Sequence, residues 1–172
     1  SNHPSPPRTM MTRATVMKVP FFPYSHVFRK HQDEISAALH ETASRGAFIM
    51  QEELREFERD LAVYCDVKFA IGVANATDAL ELIVKASGIG PGDEVIMPSH
   101  TFIASASAVV AAGAHPVFAE IGNDHLLDPA DLHSRLTNRT KAVMPTQLNG
   151  RTAKMDLLEE FTRTHGLTLL ED

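Results

Sequence analysis

Basic charge is in short supply. Lys and Arg number 16 against 22 Asp and Glu, for a net charge of −6 with histidine neutral. Proteins that grip nucleic acid or an anionic membrane do so through a basic stripe, and here the cations are scattered and outnumbered, so neither partner is expected. Cysteine is scarcer still. Cys65 stands alone, which rules out an internal disulfide and points to a cytoplasmic protein. No apolar run approaches the ~18–20 residues that span a bilayer, and no charged-then-apolar secretory signal opens the chain. A P-loop, an HExxH pair, a GxSxG elbow and a CxxC pair are all missing. The nine histidines are dispersed, and His26 with His31 is not a metal-binding spacing, so no metal site is expected.

What remains is ordinary globular composition, 44% hydrophobic and 22% charged over 172 residues. A chain of that length buries roughly 70% of its unfolded surface in one core. Residues 1–18 are rich in proline and polar side chains without apolar periodicity, and read as a flexible N-terminal arm. Residues 19–66 form a second region. Its apolar lead-in, Val19 to Tyr24, is broken by Pro20 and Pro23 and should run extended over a surface. A helix capped by Asp33 is predicted over 34–44 with Gly46 as its stop, and another over 52–64, where Leu54, Phe57, Leu61 and Tyr64 share one face and read as core.

From residue 67 the pattern becomes short apolar runs separated by helical stretches. Strands are predicted over 69–74, 94–97, 115–119, 142–144 and 167–170, with helices over 77–86, 102–112, 130–136 and 155–164. Asp128-Pro129 supplies a cap and first turn for the third of these helices. Near-continuous apolar strands alternating with such helices imply an α/β fold, a mostly parallel sheet covered on both faces.

Ligands of open α/β sheets bind beyond the carboxyl ends of the strands, which makes a short list of candidate positions. After the first predicted strand, Asn75-Ala76-Thr77 opens a helix with free N–H groups and a hydroxyl that can hold a phosphate, although Asn75 or Thr77 can equally be a simple cap. After the second comes Phe102, whose ring can stack on a planar heterocycle or pack in the core, with His100 beside it as a loop residue. After the fourth, the Gln147 amide can meet a ligand or satisfy local backbone. After the fifth stand Glu171 and Asp172. Two adjacent carboxylates at a buried strand end call for a positive partner: a metal, an arginine or a protonated heterocycle. Gly88-Ile89-Gly90-Pro91-Gly92 resembles a dinucleotide loop only superficially, because it follows a helix and precedes a strand.

Taken in order, Val19-Pro20-Phe21, Phe57-Glu58, Ala74-Asn75-Ala76-Thr77-Asp78-Ala79-Leu80, Gly88 to Ile96, Pro98 with Thr101-Phe102, Pro116-Val117-Phe118 and Glu171-Asp172 resemble the DegT/StrS-type sugar aminotransferases. These are pyridoxal-phosphate enzymes of the aspartate aminotransferase-like fold, fold type I, and the likeness runs from about Val19 to Asp172. The resemblance implies a three-layer α/β/α large domain beginning at residue 67, with pyridoxal 5′-phosphate as cofactor. It further implies that Asn75, Ala76 and Thr77 hold the phosphate, that Phe102 stacks on the pyridine ring and that Asp172 pairs with the pyridine nitrogen. Gln147 is expected as a further cofactor contact, and Glu171 as a supporting residue.

The departures are specific. Gln51-Glu52 stands where the family commonly has Gly-Pro, Gln147-Leu148-Asn149-Gly150 where it often has His-Leu-Tyr-Gly, and Asn75-Ala76-Thr77 where Ser-Gly-Thr is common. Alanine keeps the backbone donor, so phosphate binding survives the last exchange. The family's catalytic lysine, which forms the Schiff base, lies beyond the Glu-Asp pair. Lys18, Lys30, Lys68, Lys85, Lys141 and Lys154 all precede Asp172, so the Schiff-base residue is not in this chain. The expectation is the N-terminal portion of an aminotransferase that moves an amino group, from glutamate as donor, to a nucleotide-linked keto-sugar, working as a homodimer with shared active sites. The alternatives are a sugar dehydratase of the same family, with histidine in the lysine's place, and a non-catalytic module that binds a phosphorylated ligand.

Overall fold

A computed structural model describes residues 19–172, and the arm expected over 1–18 lies outside the described residues. The chain divides into two compact units, one reaching to Phe69 and the other running from Ala70 to Asp172.

The described part of the first unit is helical. Helix α1 spans Tyr24–Ser44 and helix α2 spans Glu52–Tyr64. The first helix begins nine residues before the expected Asp33 cap, since no breaker separates Tyr24 from Asp33 and Pro23 already sets the start. Gly46 leaves the helix at a φ of +69°, the left-handed stop that glycine tolerates. Phe57 and Tyr64 are not core residues: they are 58% and 88% exposed, and neither helix buries a side chain. Helical spacing defines a common apolar face, but it does not supply the surface that would cover it.

The second unit carries a parallel sheet. Its strands are β1, Glu94–Pro98, β2, His115–Ala119, β3, Thr140–Val143, and β4, Thr168–Leu169. They lie in the order β2-β1-β3-β4, every pair parallel. β1 is central and buried throughout, while β2, which carries Pro116, takes an edge, where the missing N–H is tolerated. Four helices complete the unit: α3, Ala76–Ala86, α4, Ile103–Ala111, α5, Leu132–Arg135, and α6, Met155–His165. α5 is preceded by a 3₁₀ turn over Pro129–Asp131, which Asp128 caps by accepting from the Ala130 N–H at 3.1 Å.

Alternation along the strands divides the core in two. Val95 and Met97 point with Ala142 and Met144 toward Leu80 and Val84 of α3 and Ala108 and Val109 of α4. Ile96 and Val143 point the other way, toward Leu132 of α5 and Leu158 and Phe161 of α6. The result is the expected three-layer α/β/α arrangement. One expected strand is absent: residues 69–74 take no place in the sheet, and Phe69, Ile71 and Val73 are exposed. Apolar alternation qualifies a segment for a strand, but a strand forms only beside a neighbour that takes its N–H and C=O groups.

The Gly88–Glu94 motif works at the amino edge of the sheet. Asp93 closes the turn by accepting from the Gly90 N–H at 3.0 Å, and Gly113 packs so closely on Pro91 that an added Cβ would meet its ring at 3.0 Å. Glu94 is buried at the start of β1, where the Thr137 hydroxyl and the Arg139 guanidinium donate to it. The Thr137 hydroxyl, aided by Arg139, holds this carboxyl below its ordinary value. Thr137→Ala is therefore expected to destabilise the protein by about 1–2 kcal/mol in denaturant unfolding of the full-length chain. A carboxyl depressed in the folded state adds stability above its unfolded value near 4.5, and that stability disappears as pH falls through the lower folded value. The gap between wild type and variant should accordingly narrow on acidification below 4.5.

Candidate cofactor site

Three strand ends meet at the carboxyl edge of the sheet. β1 runs into Thr101 and Phe102, β3 into Pro145, Thr146 and Gln147, and β4 into Asp172. The backbone continues the ladder beyond the regular strands: the Asp172 N–H donates to Pro145 O at 3.0 Å, and the Gln147 N–H to Asp172 O at 2.8 Å. This pairing fixes the Asp172 main chain. Its side chain is only partly exposed, whereas Glu171 next to it is exposed, so the two carboxylates do not share a buried site.

Hydroxyls surround the Asp172 carboxylate. Ser105 Oγ donates to Asp172 Oδ2, and Thr146 Oγ1 lies 3.3 Å from the same oxygen. Thr101 Oγ1 is 2.6 Å from Ser105 Oγ and 3.0 Å from Thr146 Oγ1. Ser105 and Thr146 are buried. None of the three hydroxyls is among the candidate site residues of the sequence, where nothing marks them before the strand ends are brought together.

Phe102 is the N-cap residue of α4, in extended backbone, with its ring 73% exposed. Core packing therefore does not account for it, and the ring stands open at the strand end. His100 is a loop residue, its Nδ1 3.3 Å from His125 O.

The start of α3 belongs to the same edge. α3 packs against α4 and runs back toward the turn that enters β1, so its eleven residues, about 16 Å of helix, place its N-terminus at the opposite end from that turn. Asn75 is the cap: its Oδ1 accepts from the Asp78 N–H at 3.0 Å and its Nδ2 donates to Asp78 Oδ2 at 3.0 Å. That contact turns the Asp78 carboxylate to the cap. The Asn75 side chain is thus engaged as the helix cap. Ala76 and Thr77 remain, their N–H groups without a partner among the described residues, and with them the Thr77 hydroxyl. The Gln147 side chain is engaged as well. Its Oε1 accepts from the Ala153 N–H at 2.7 Å and its Nε2 contacts Met155 Sδ at 3.3 Å, so the amide braces the entry to α6.

The donor set fits a flat, phosphorylated nitrogen heterocycle: unpaired helix N–H groups with a hydroxyl for the phosphate, an open aromatic face for the ring, and a carboxylate with one uncommitted oxygen for a ring N–H. Among the described residues no group of His, Cys, Asp and Glu side chains is arranged to hold a metal ion, and no helix is long and apolar enough to cross a membrane.

Comparison with known proteins gives the site a context. The sequence model of the DegT/DnrJ/EryC1/StrS aminotransferase family matches residues 29–172. The dTDP-3-amino-3,4,6-trideoxy-alpha-D-glucose transaminase of Streptomyces venezuelae is 43% identical over 95% of this chain and 43% of its own length. The crystal structure of DesV from S. venezuelae, in complex with a ketimine intermediate, superposes with a TM-score of 0.87 at 43% identity, over 89% of this chain and 42% of that one. The structure of NtdA from Bacillus subtilis, with bound cofactor PMP, superposes with a TM-score of 0.88 at 30% identity, over 92% of this chain and 37% of that one. This chain therefore spans less than half the length of these relatives. The likeness bears out the three-layer fold, and the PMP bound in NtdA is the amine form of pyridoxal 5′-phosphate.

Proposed function

Because the chain belongs to the DegT/DnrJ/EryC1/StrS aminotransferase family, we propose that the whole protein is a pyridoxal-phosphate-dependent aminotransferase that transfers an amino group from glutamate to a nucleotide-linked keto-sugar. The observation that carries this reading is the Asp172 carboxylate at the end of β4, held on one oxygen by buried hydroxyls and open on the other. When bound, the cofactor supplies an electron sink for the bond changes at the carbon bearing nitrogen. This chain's part is to bind and to tune. Ala76 and Thr77 receive the phosphate at the start of α3, Phe102 covers one face of the ring, and Asp172 accepts the proton of the ring nitrogen in a charge-assisted hydrogen bond.

The protein is further proposed to be a cytoplasmic homodimer with active sites shared between subunits. The exposed free thiol of Cys65 suits a reducing compartment. The apolar face of α2, with Phe57 and Tyr64, is uncovered in its own unit, as surface that meets a second copy is.

The deciding assay incubates the full-length holoenzyme with glutamate and a panel of nucleotide-linked keto-sugars. Amino-sugar and 2-oxoglutarate should form in equal amounts. Loss of water from the sugar without 2-oxoglutarate, or no change in any sugar, contradicts the proposal. Phe102→Ala should loosen the cofactor only about 2- to 10-fold, measured by equilibrium titration, because stacking is worth roughly 0.5–1.5 kcal/mol.

A further inference from the structure

The hydroxyls around Asp172 have an order that donor chemistry dictates. A carboxylate only accepts, so Ser105 must donate its single proton to Asp172 Oδ2. Ser105 Oγ can then engage Thr101, 2.6 Å away, only by accepting from it. Thr101 Oγ1, its own proton committed, accepts in turn from Thr146 at 3.0 Å, and Thr146 Oγ1 also lies 3.3 Å from Asp172 Oδ2. Three hydroxyl dipoles thus align toward one oxygen, and aligned hydrogen bonds polarise one another. Among the described residues, Asp172 Oδ1 accepts no hydrogen bond.

Satisfying a buried hydroxyl does not by itself require this arrangement. Ser105 also lies 3.2 Å from Phe102 O, one turn back, and that carbonyl alone would have satisfied its proton. The surrounding helix is built of Ala104, Ala106 and Ala108, all buried, so Ser105 is a polar group placed deliberately deep in a small-residue surface. The backbone of Asp172 is pinned to Pro145 and Gln147, which leaves side-chain rotation as its remaining freedom, and the hydroxyls remove it.

We propose that Ser105, backed by Thr101 and Thr146, is a positioning residue that holds the Asp172 carboxylate by Oδ2 and so presents Oδ1 to the ring nitrogen of the cofactor. This inference rests on the cofactor reading above. Its distinctive consequence concerns the ring nitrogen alone: losing the Ser105 hydroxyl should weaken what depends on that atom and leave phosphate and ring-face contacts intact.

The test uses the full-length apoprotein and two ligands, pyridoxal phosphate and its 1-deaza analogue, in which CH replaces the ring nitrogen. Wild type should prefer the natural cofactor, and Asp172→Asn should abolish the preference. Ser105→Ala should reduce the preference by about tenfold, as expected for one hydrogen bond to a charged group, with affinity for the deaza analogue unchanged within about twofold. Thr146→Val, which conserves shape, should reduce it by about threefold through its longer contact, and provides the same test if the Ser105 variant does not fold. An undiminished preference in these variants overturns the inference, as does an equal loss of affinity for both ligands, which would mark a merely structural role. If wild type itself shows no preference, the pyridine reading of Asp172 fails and takes the inference with it. A preference lost in Asp172→Asn but kept in the hydroxyl variants removes the positioning role alone.

Discussion

Asp172→Asn should lower amino-transfer turnover about a thousandfold while the full-length protein still folds and binds its cofactor. A carboxylate about 4 Å from a cationic ring nitrogen contributes up to about 4 kcal/mol at an effective dielectric of 20, equivalent to roughly three pK units on the nitrogen. The hydroxyl network makes the loss larger than simple neutralisation. In the variant, the carboxamide oxygen is the acceptor that Ser105 and Thr146 require, so it occupies the place of Oδ2. The amide NH₂ then faces the ring. A donor replaces an acceptor where the ring N–H needs a partner, and the deprotonated ring is favoured. The fold is expected to be undisturbed, since the Asp172 backbone bonds to Pro145 and Gln147 do not involve the side chain. Steady-state turnover alongside a cofactor titration checks both halves. Wild-type turnover in this variant would remove Asp172 from the mechanism.

Thr77→Val has the second largest expected effect, and it falls on affinity instead of rate. Thr77 is in the first turn of α3, where its hydroxyl and N–H accompany that of Ala76. A hydrogen bond to a charged group is worth about 1.5–3 kcal/mol, so cofactor binding should weaken by roughly 10- to 150-fold, with turnover at saturating cofactor nearly unchanged. Asn75→Ala is the control. Its side chain caps the helix through the Asp78 N–H, so the variant should lose about 1 kcal/mol of stability and little cofactor affinity. Weaker binding in Asn75→Ala than in Thr77→Val would assign the phosphate to the wrong residue.

The two variants also separate what could be read in the sequence from what could not. Periodicity located β1, β2, α2 and α6 to within a residue or so, because each carries its own apolar pattern and its own stop, such as Gly166 in the left-handed conformation after α6. The strand expected over residues 69–74 has the same pattern but no place in the sheet, because pairing depends on a neighbour elsewhere in space. Phe57 and Tyr64 failed as core residues for the same reason: a stripe names a face and not its cover.

At the site, Thr77, Phe102 and Asp172 are readable as candidates because strand ends and helix starts are local features. Asn75 and Gln147 are candidates on the same local ground, and their side chains accept from the Asp78 and Ala153 N–H groups, since an amide at such a position serves the backbone as readily as a ligand. Ser105 was invisible as a site residue. Its partner lies 67 positions along the chain, and a serine among alanines in a small-residue helix shows no pattern until β1 and β4 are placed on either side of β3.

In the proposed mechanism Asp172 keeps the ring nitrogen of the cofactor protonated. It can be measured directly by reconstituting the full-length protein with cofactor labelled with nitrogen-15 in the ring and following the nitrogen chemical shift with pH. A protonated ring nitrogen is expected across the neutral range in wild type and an unprotonated one in Asp172→Asn. An unprotonated ring nitrogen in wild type, or a protonated one that survives Asp172→Asn, would contradict it.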